Sequence, residues 1–406
     1  MSSPGAEPRR AAVTFIFVTV LLDMLAFGMI VPVLPTLVKG FMGGDTARAA
    51  HIFGLFGTTW AVMQFFFSPV LGALSDRFGR RPVILLSNFG LGADYIFMAL
   101  APSIEWLFIG RTISGLTSAS VPTAGAYIAD VTPPEKRAAA FGLIGSAFGV
   151  GFVVGPSVGG LLGAMDPRMP FWVSGVLSLL NALYGLFVLP ESLAPEKRSA
   201  FSWRRANPIG SLALLRSRER LLGLAAIFFL YFLAHEALPS VFVLYATYRY
   251  GWDERTVGLS LAAVGVCAGL VQGVLVRRVV PRFGERRTAL FGLACGFVGF
   301  AVYGLAPTGP LLMLGIPVFT LLGLASPSVQ GMMTHRVGPE DQGKLQGAVQ
   351  SLRGVSGLIG PALFTTIFAL AIGPLKDWGV PGAPYLMSSA LVAAALVIAW
   401  KAARQN

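Results

Sequence analysis

The chain has 406 residues, of which 55% are hydrophobic and only 12% are charged, and its formal net charge is +12. Soluble domains carry about 25% charged residues, so this composition argues against a soluble protein. Its apolar runs of about 20 residues are long enough to cross a bilayer as helices. They lack the alternation of barrel strands. The sequence therefore predicts an all-α integral membrane protein.

Twelve transmembrane helices are predicted, and most of the 31 lysines and arginines lie on one side of them: in the N-terminal tail, in alternate loops and in the C-terminal tail. Because cytoplasmic loops are rich in these residues, both termini are predicted to be cytoplasmic. The basic charge then marks topology, and no nucleic-acid partner is expected. The predicted helices span 13–37, 52–73, 83–101, 105–128, 139–163, 170–190, 221–246, 256–276, 288–305, 310–333, 345–372 and 383–400.

A shift of 205 residues superimposes the two halves of the sequence: Gly79 falls on Gly284, Pro122 on Pro327 and Pro156 on Pro361. One offset that holds across loops and helices indicates duplication, and duplicated membrane halves form a central site near the bilayer midplane. We predict pseudo-symmetric six-helix halves at 1–190 and 221–406. The basic linker 191–220 is expected to lie at lipid headgroups, with a partner site as the alternative.

Three acidic residues are predicted deep within helices: Asp23 in helix 1, Asp94 in helix 3 and Glu236 in helix 7. A charge at the bilayer centre costs roughly 2.5–3.5 kcal/mol, so each should face a cavity or a partner. Asp23 and Asp94 lie at a similar depth, and Arg111 of helix 4 can reach that level. We expect the two aspartates to handle protons or a cationic substrate, tuned by Arg111. The alternative is a buried ion pair that fixes helix packing.

Helix 5 is rich in glycine and contains one proline. Small side chains let a neighbouring helix approach closely. The proline removes one backbone hydrogen bond and should bend the helix. We expect tight packing here, and we expect the bend to help seal the closed pathway. The residues of this motif are Gly145, Gly149, Gly151, Gly155, Pro156, Gly159 and Gly160.

Polar residues also occur in the predicted helices of the second half. His235 and Glu236 are neighbours, so they point about 100° apart and only one should face the cavity squarely. A histidine that titrates near neutral pH suits proton coupling, although it can equally be an interhelical donor. Arg353 in helix 11 is predicted to attract an anionic substrate or to neutralise Glu236. Gln64 and Gln272 are predicted to donate hydrogen bonds to the cavity or between helices.

Three motifs resemble those of the major facilitator superfamily. Gly72–Arg81 fits its signature loop between helices 2 and 3. The helix 5 glycine motif is similar to that of its proton antiporters, and Arg111-x3-Gly115 is similar to its helix 4 arginine motif. This resemblance implies a twelve-helix carrier that works by alternating access.

A closer resemblance is to the tetracycline/proton antiporter branch of this superfamily. Leu22–Pro35 in helix 1, Asp94-Tyr95 in helix 3 and Gln342–Gly347 at the start of helix 11 are similar to that branch. The branch carries an acidic residue in helix 9, whereas Phe291–Val298 here contains none. The resemblance therefore supports proton-coupled export more strongly than it supports tetracycline as the substrate.

The signature loop implies a cytoplasmic gate at Asp76 and Arg80. Arg77, Arg80 and Arg81 can bridge to Asp130 or Glu135 in the next cytoplasmic loop, or can simply mark topology. The second copy of the loop replaces Asp76 with Pro281 and Arg80 with Glu285. We therefore expect the gate in the first loop only.

These observations together predict a monomeric proton-coupled antiporter that exports a small amphipathic compound or drug, located in a bacterial inner membrane. Its partners are the substrate, protons and the lipid bilayer. No cofactor or metal is expected, because Cys267 and Cys295 lie in helices without metal-ligand spacing. An enzyme is not expected, since no nucleophile–base group or phosphate loop is found. The alternatives are a carrier for a metabolite or organic anion that uses Arg353, and a non-transporting receptor or scaffold.

Overall fold

The computed structural model describes residues 6–118, 120–201, 219–338 and 341–402, which form helices and no strands. Ten stretches are long and apolar enough to cross a membrane. One of them, Glu254–Leu305, holds two helices, because Gly284 at φ 76° interrupts it. Helix 4 adds a further span in two shorter pieces. The predicted all-α architecture with twelve transmembrane helices is confirmed.

Helices 1, 2, 4 and 5 of the first half extend beyond the predicted apolar runs, whereas helices 3 and 6 end two residues before the predicted limit. Helix 2, for example, has 33 residues. Helix 1 comprises Ala6–Ile30 and Leu34–Phe41, helix 2 Thr46–Phe78, helix 3 Arg80–Ala99, helix 4 Ile104–Thr117 and Ser120–Val131, helix 5 Pro134–Gly163, and helix 6 Met169–Val188.

In the described part of the second half, helix 8 contains a π-helical segment and helix 10 contains a 3-10 segment. Helix 7 comprises Glu219–His235 and Ala237–Tyr250, and helix 8 comprises Glu254–Leu270 with π-helical Val271–Leu275. Val276–Leu305 contains the end of helix 8 and all of helix 9. Helix 10 comprises Gly309–Thr320, 3-10 Leu321–Leu324 and Ala325–Thr334; helix 11 is Gln342–Ile372 and helix 12 is Ala383–Ala402.

The first helix of each group of three is interrupted, namely helices 1, 4, 7 and 10. A proline follows each interruption within a few residues: Pro35, Pro122, Pro239 and Pro327. Proline lacks the N–H that would pair with the carbonyl four residues earlier, which weakens the helix at that point. In transporters, interrupted helices form the substrate and ion sites near the midplane. The interruptions therefore mark where a site is expected.

The chain packs as two compact units. Unit 1 comprises Met1–Leu37, Thr59–Asn207 and Glu254–Ala262; unit 2 comprises Val38–Thr58, Pro208–Asp253 and Ala263–Asn406. In unit 1, helix 1 packs along helices 5 and 6, and helix 3 packs along helix 6. In unit 2, helix 12 packs along helices 7 and 9. The predicted division at 190 and 220 stays a prediction, and most of the linker, 202–218, lies outside the described residues.

Candidate functional site

Asp94 of helix 3 and Arg111 of helix 4 are both buried inside unit 1, near enough for the charge of Arg111 to act on the carboxylate. Asp94 is 1% exposed and Arg111 is 8% exposed. Gly110 lets the helices approach, since a β-carbon there would lie 3.0 Å from Asp94 Oδ1. Among the described residues, neither carboxylate oxygen has a partner in hydrogen-bond geometry, and the charge of Arg111 acts on the carboxylate together with Ser114. Asp94 is therefore held by charge rather than by a set of N–H donors.

An aromatic surface lies beside this pair. The Arg111 guanidinium lies 5.7 Å from the centre of the Trp60 ring. Trp60 stacks on Phe27 at 6.2 Å, and Phe27 meets Phe152 edge-on at 6.1 Å. Trp60 and Phe27 are half-buried and Phe152 is exposed. Helices 1, 2 and 5 thus place aromatic rings next to the charged pair, where they can contact the apolar part of an amphipathic molecule.

Asp23 lies in a different environment, among amide side chains. It is 4% exposed. The Asn181 amide of helix 6 donates to Asp23 Oδ1 at 2.9 Å and to the Thr19 carbonyl at 3.0 Å. The Asn88 amide of helix 3, with its nitrogen turned toward the carboxylate, donates to both oxygens at 3.1 and 3.2 Å. These bonds to a charged acceptor tie helices 1, 3 and 6 together.

In unit 2, three polar residues meet where helix 7 is interrupted. His235 ends the first segment of helix 7 and Glu236 precedes the second. Arg353 of helix 11 lies 5.8 Å from the centre of the Phe232 ring, and its charge acts on both His235 and Glu236. His235 is exposed, whereas Glu236 is half-buried and packs against Gly360 of helix 11. The two neighbours therefore have different surroundings.

The two glutamines contact irregular segments of other helices. Gln64 Nε2 donates to Ser118 Oγ at 3.0 Å, and Ser118 lies at the interruption of helix 4. Gln272 lies in the π-helical segment of helix 8, and its Nε2 is 3.5 Å from the Gly323 carbonyl in the 3-10 segment of helix 10. Segments of π-helix occur frequently at functional sites. Both glutamines act here as donors between helices.

The glycines of helix 5 divide into two groups, which corrects the expectation of uniformly close packing. Gly151, Gly155 and Gly159 pack against the backbone of helix 1, where a β-carbon at Gly155 would lie 2.8 Å from the Gly28 Cα. Gly160 packs against the start of helix 8. A β-carbon at Gly145 or Gly149 would meet nothing within 4 Å. Gly145 and Gly149 lie six and two residues before Gly151, so at about 100° per residue they point to a different side of helix 5 from the glycines that contact helix 1. Helix 5 continues unbroken through Pro156.

The loop between helices 2 and 3 is organised around Arg80. Its Nη1 lies 2.5 Å from Asp76 Oδ1, and its Nε lies 3.1 Å from Asp130 Oδ2 at the end of helix 4. Its Nη1 also donates to Ser75 Oγ at 2.7 Å. The Ser192 hydroxyl, which follows helix 6, donates to the same Asp130 oxygen at 3.1 Å. One arginine therefore links this end of helices 2, 3 and 4.

The expectation that Arg77 and Arg81 also bridge to Asp130 is not met by the described residues. Arg77 lies over the Phe78 ring at 5.1 Å. Arg81 Nη2 donates to the Leu186 carbonyl of helix 6 at 2.5 Å. Arg81 follows Arg80 in helix 3 and points about 100° away from it, whereas Arg77 belongs to helix 2. The Glu135 side chain lies outside the described residues.

Glu191 is a functional candidate that the sequence reasoning missed. Its carboxylate accepts hydrogen bonds from the backbone N–H groups of Arg80 at 2.9 Å and Arg81 at 3.3 Å. These are first-turn donors, which have no partner within their own helix. Gly79 precedes them at φ 110°, and a β-carbon there would collide with Glu191. Gly79 directly precedes the helix and has no side chain that could cap it. Its presence is the sequence signal that the first N–H groups of the helix need an acceptor from another part of the chain.

The chain as a whole matches known proteins in both sequence and fold. A family model described as Major Facilitator Superfamily matches residues 16–361. The chain belongs to the Major Facilitator Superfamily. It is similar to the class C tetracycline resistance protein of Escherichia coli, with 37% identity over 381 residues that cover 93% of this chain and 95% of the relative. The class G protein of Vibrio anguillarum is 35% identical over 375 residues, covering 91% and 93%.

Solved structures support the superfamily fold. The human organic anion transporter MFSD10 (TETRAN) has a TM-score of 0.72 and 25% identity, covering 98% of this chain and all of that chain. The nucleoside transporter NupG has a TM-score of 0.73 at 15% identity, covering 97% and 98%, which shows the fold alone. This superfamily member is thus an integral membrane transporter of small molecules and not an enzyme.

Proposed function

We propose that this superfamily member exports a small amphipathic drug in exchange for protons, with tetracyclines as the first substrates to test. The observation that carries this proposal is the buried Asp94–Arg111 pair beside the Trp60–Phe27 aromatic surface. The proposal is supported by full-length relatives whose names are tetracycline resistance proteins. We place the protein in a bacterial inner membrane as a monomer with both termini in the cytoplasm.

Asp94 is the proposed coupling residue, because its two charge states favour different occupants. The ionised carboxylate attracts a positively charged group of the substrate, while the aromatic rings contact its apolar part. A proton that binds Asp94 removes this attraction and leaves Arg111 as an uncompensated buried charge, which is a costly arrangement. Proton and substrate therefore exclude one another, which is the requirement for exchange. Asp76, Arg80 and Asp130, with Glu191, hold the cytoplasmic gate.

The second half contributes the other titratable group in this proposal. Helix 9 carries no acidic residue in Phe291–Val298. Glu236 and His235 lie instead at the interruption of helix 7, where the charge of Arg353 acts on both. We assign to Glu236, beside Arg353, the role that an acid in helix 9 has in the tetracycline branch.

Uptake of tetracycline into inverted membrane vesicles tests the proposal. With an acidic vesicle interior, wild-type uptake should be concentrative and should stop when an uncoupler is added. Asp94→Asn should reduce concentrative uptake to that of vesicles without the protein. The matched control is Asp377→Asn, which changes an exposed aspartate and should transport normally. Uptake that continues with the uncoupler present would overturn proton coupling. Uptake of other cationic drugs but not of tetracycline would overturn only the substrate.

A carrier of organic anions is the second candidate. Arg353 is exposed and lies over the Phe232 ring, an arrangement suited to a planar anion. The similarity to the human organic anion transporter also favours it. Anion flux into proteoliposomes that is lost in Arg353→Ala and largely retained in Arg353→Lys would establish this function. Absence of any flux, for drugs or anions, would favour a receptor or scaffold.

A further inference from the structure

The loop between helices 8 and 9 contains a charge-reversed copy of the ion pair in the first loop. The 205-residue offset that relates the halves places Arg80 on Glu285 and Asp130 on His335. In unit 1, Arg80 Nε lies 3.1 Å from Asp130 Oδ2. In unit 2, His335 Nε2 lies 3.4 Å from Glu285 Oε1. The offset thus preserves the contact while exchanging which partner is basic.

Backbone geometry shows that the second contact is built in the same way as the first. Gly79 at φ 110° and Gly284 at φ 76° occupy equivalent positions, directly before the residue that forms the pair. Gly331 of helix 10 makes room for the acidic side chain, because a β-carbon there would collide with the Glu285 carboxylate. The second loop therefore also carries a contact between an acidic and a basic side chain. The expectation that the gate lies in the first loop only stays a prediction.

Among the described residues, Glu285 is the acidic side chain found within ion-pair distance of His335. The other charged residues of the same loop are basic. Asp341, directly before helix 11, has its Oδ1 2.9 Å from Lys344 Nζ. The His335 side chain is 77% exposed and that of Glu285 is 26% exposed, so protons reach the imidazole freely. The other charged residues near the pair in the described sequence are Arg277, Arg278, Arg282, Arg286, Arg287, Arg336, Asp341 and Lys344.

We propose that Glu285 and His335 form a second latch, which holds the loop between helices 8 and 9 to helix 10 when His335 is protonated. Arginine keeps its charge at every physiological pH, so the strength of the Arg80–Asp130 contact, the first latch, does not depend on the protonation of its basic partner. An imidazole changes charge between about pH 5 and 8, so the second latch tightens in acid and loosens in alkali. Both residues are positioning residues for the movement of unit 2.

The latch slows proton-driven export as protons enter the cytoplasm. This effect on transport rests on the proposed function, whereas the latch itself does not. An exchanger that admits protons acidifies the cytoplasm, where the proposed topology places this loop. An acidic cytoplasm therefore favours the latched loop, which slows further turnover. The latch itself requires no substrate, so it is tested separately from transport.

Hydrogen exchange of the backbone amides in 276–290 tests the latch in the full-length protein in detergent. Each variant is compared with the wild type at the same pH, which cancels the intrinsic pH dependence of exchange. Glu285→Gln should exchange about twofold to fivefold faster than the wild type at pH 6, as expected for a surface ion pair, and should match it at pH 8. His335→Arg should match the wild type at pH 6 and exchange more slowly at pH 8.

Two further variants test whether the pH dependence of exchange comes from the histidine. Glu285→Arg combined with His335→Asp transplants the first latch and should protect the loop equally at both pH values. In the first loop, Arg80→Gln should speed exchange equally at pH 6 and pH 8. If Glu285→Gln increased the exchange rate equally at pH 6 and pH 8, or at neither pH, the proposed latch would be wrong. Loss of transport with intact pH-dependent protection would count against the proposed function and leave the latch standing.

Discussion

Asp23 and Asp94 are both buried carboxylates of unit 1, but their partners differ. Asp23 accepts hydrogen bonds from the neutral amides of Asn88 and Asn181, whereas Asp94 faces the charge of Arg111 without a donor in hydrogen-bond geometry among the described residues. Protonation of Asp23 would weaken bonds that join helices. Protonation of Asp94 would strip a buried guanidinium of its counter-charge, which favours a rearrangement. Burial alone therefore does not identify a coupling residue; the type of partner does.

Among the substitutions that test this comparison, removal of Arg111 should have the largest effect on the free energy of unfolding. Arg111→Ala leaves the Asp94 carboxylate buried without its counter-charge, and we expect a loss of about 3–5 kcal/mol in the free energy of unfolding. Denaturant titration of the purified protein measures it. Arg111→Ala combined with Asp94→Asn should recover most of the loss. Failure of the double variant to recover would mean that the pair does not act as a unit.

Substitution of Asp23 tests whether the two carboxylates have separate roles. Asp23→Asn weakens charge-assisted hydrogen bonds to Asn88 and Asn181, and we expect a loss of about 1.5–3 kcal/mol in the free energy of unfolding. Concentrative drug uptake per folded molecule should persist. This replaces the expectation from the sequence that Asp23 carries protons. Normal stability with uptake abolished would reverse the assignment and make Asp23 the coupling residue.

Of these three contributions to the free energy of unfolding, the contact between Arg111 and the Trp60 ring should be the smallest. Trp60→Leu removes the ring under the guanidinium, and the cation–π term lost is about 0.5–2 kcal/mol. Trp172→Leu makes the same substitution at an exposed ring on helix 6 and serves as the control. Denaturant titration should show the larger loss at Trp60. Equal losses in the two variants would mean that the ring does not stabilise the charged pair.

The gate loop shows how far sequence reasoning reaches. Asp76, Arg80 and Asp130 are all identifiable from the sequence, because their charges stand out between apolar helices. Glu191 is not, since an acidic residue after a helix looks like an ordinary loop residue. Its role depends on a backbone approach from Gly79, more than 100 positions away in the chain. The 205-residue offset predicts the Glu285–His335 contact, but only if the acidic and basic partners are allowed to exchange places.

The helix interruptions were only partly predictable. A proline follows each of them, yet helices 2 and 5 also contain prolines, Pro69 and Pro156, and remain continuous. The missing N–H weakens every such helix locally, but the packing of neighbouring helices decides whether the segment separates. Hydropathy therefore located the spans, while the irregular segments of helices 4, 8 and 10 required the structure.

The sequence by itself determined the membrane class, the twelve spans, the duplication and the superfamily, because hydropathy, charge placement and motifs are read over short stretches of chain. The tertiary structure decided which partner each buried charge meets. Asp23 and Asn181 are 158 positions apart and touch. Asp94 and Asp23 look equivalent in the sequence, and helix packing gives one an arginine and the other two amides. A buried charge must be compensated, and only the fold determines by what.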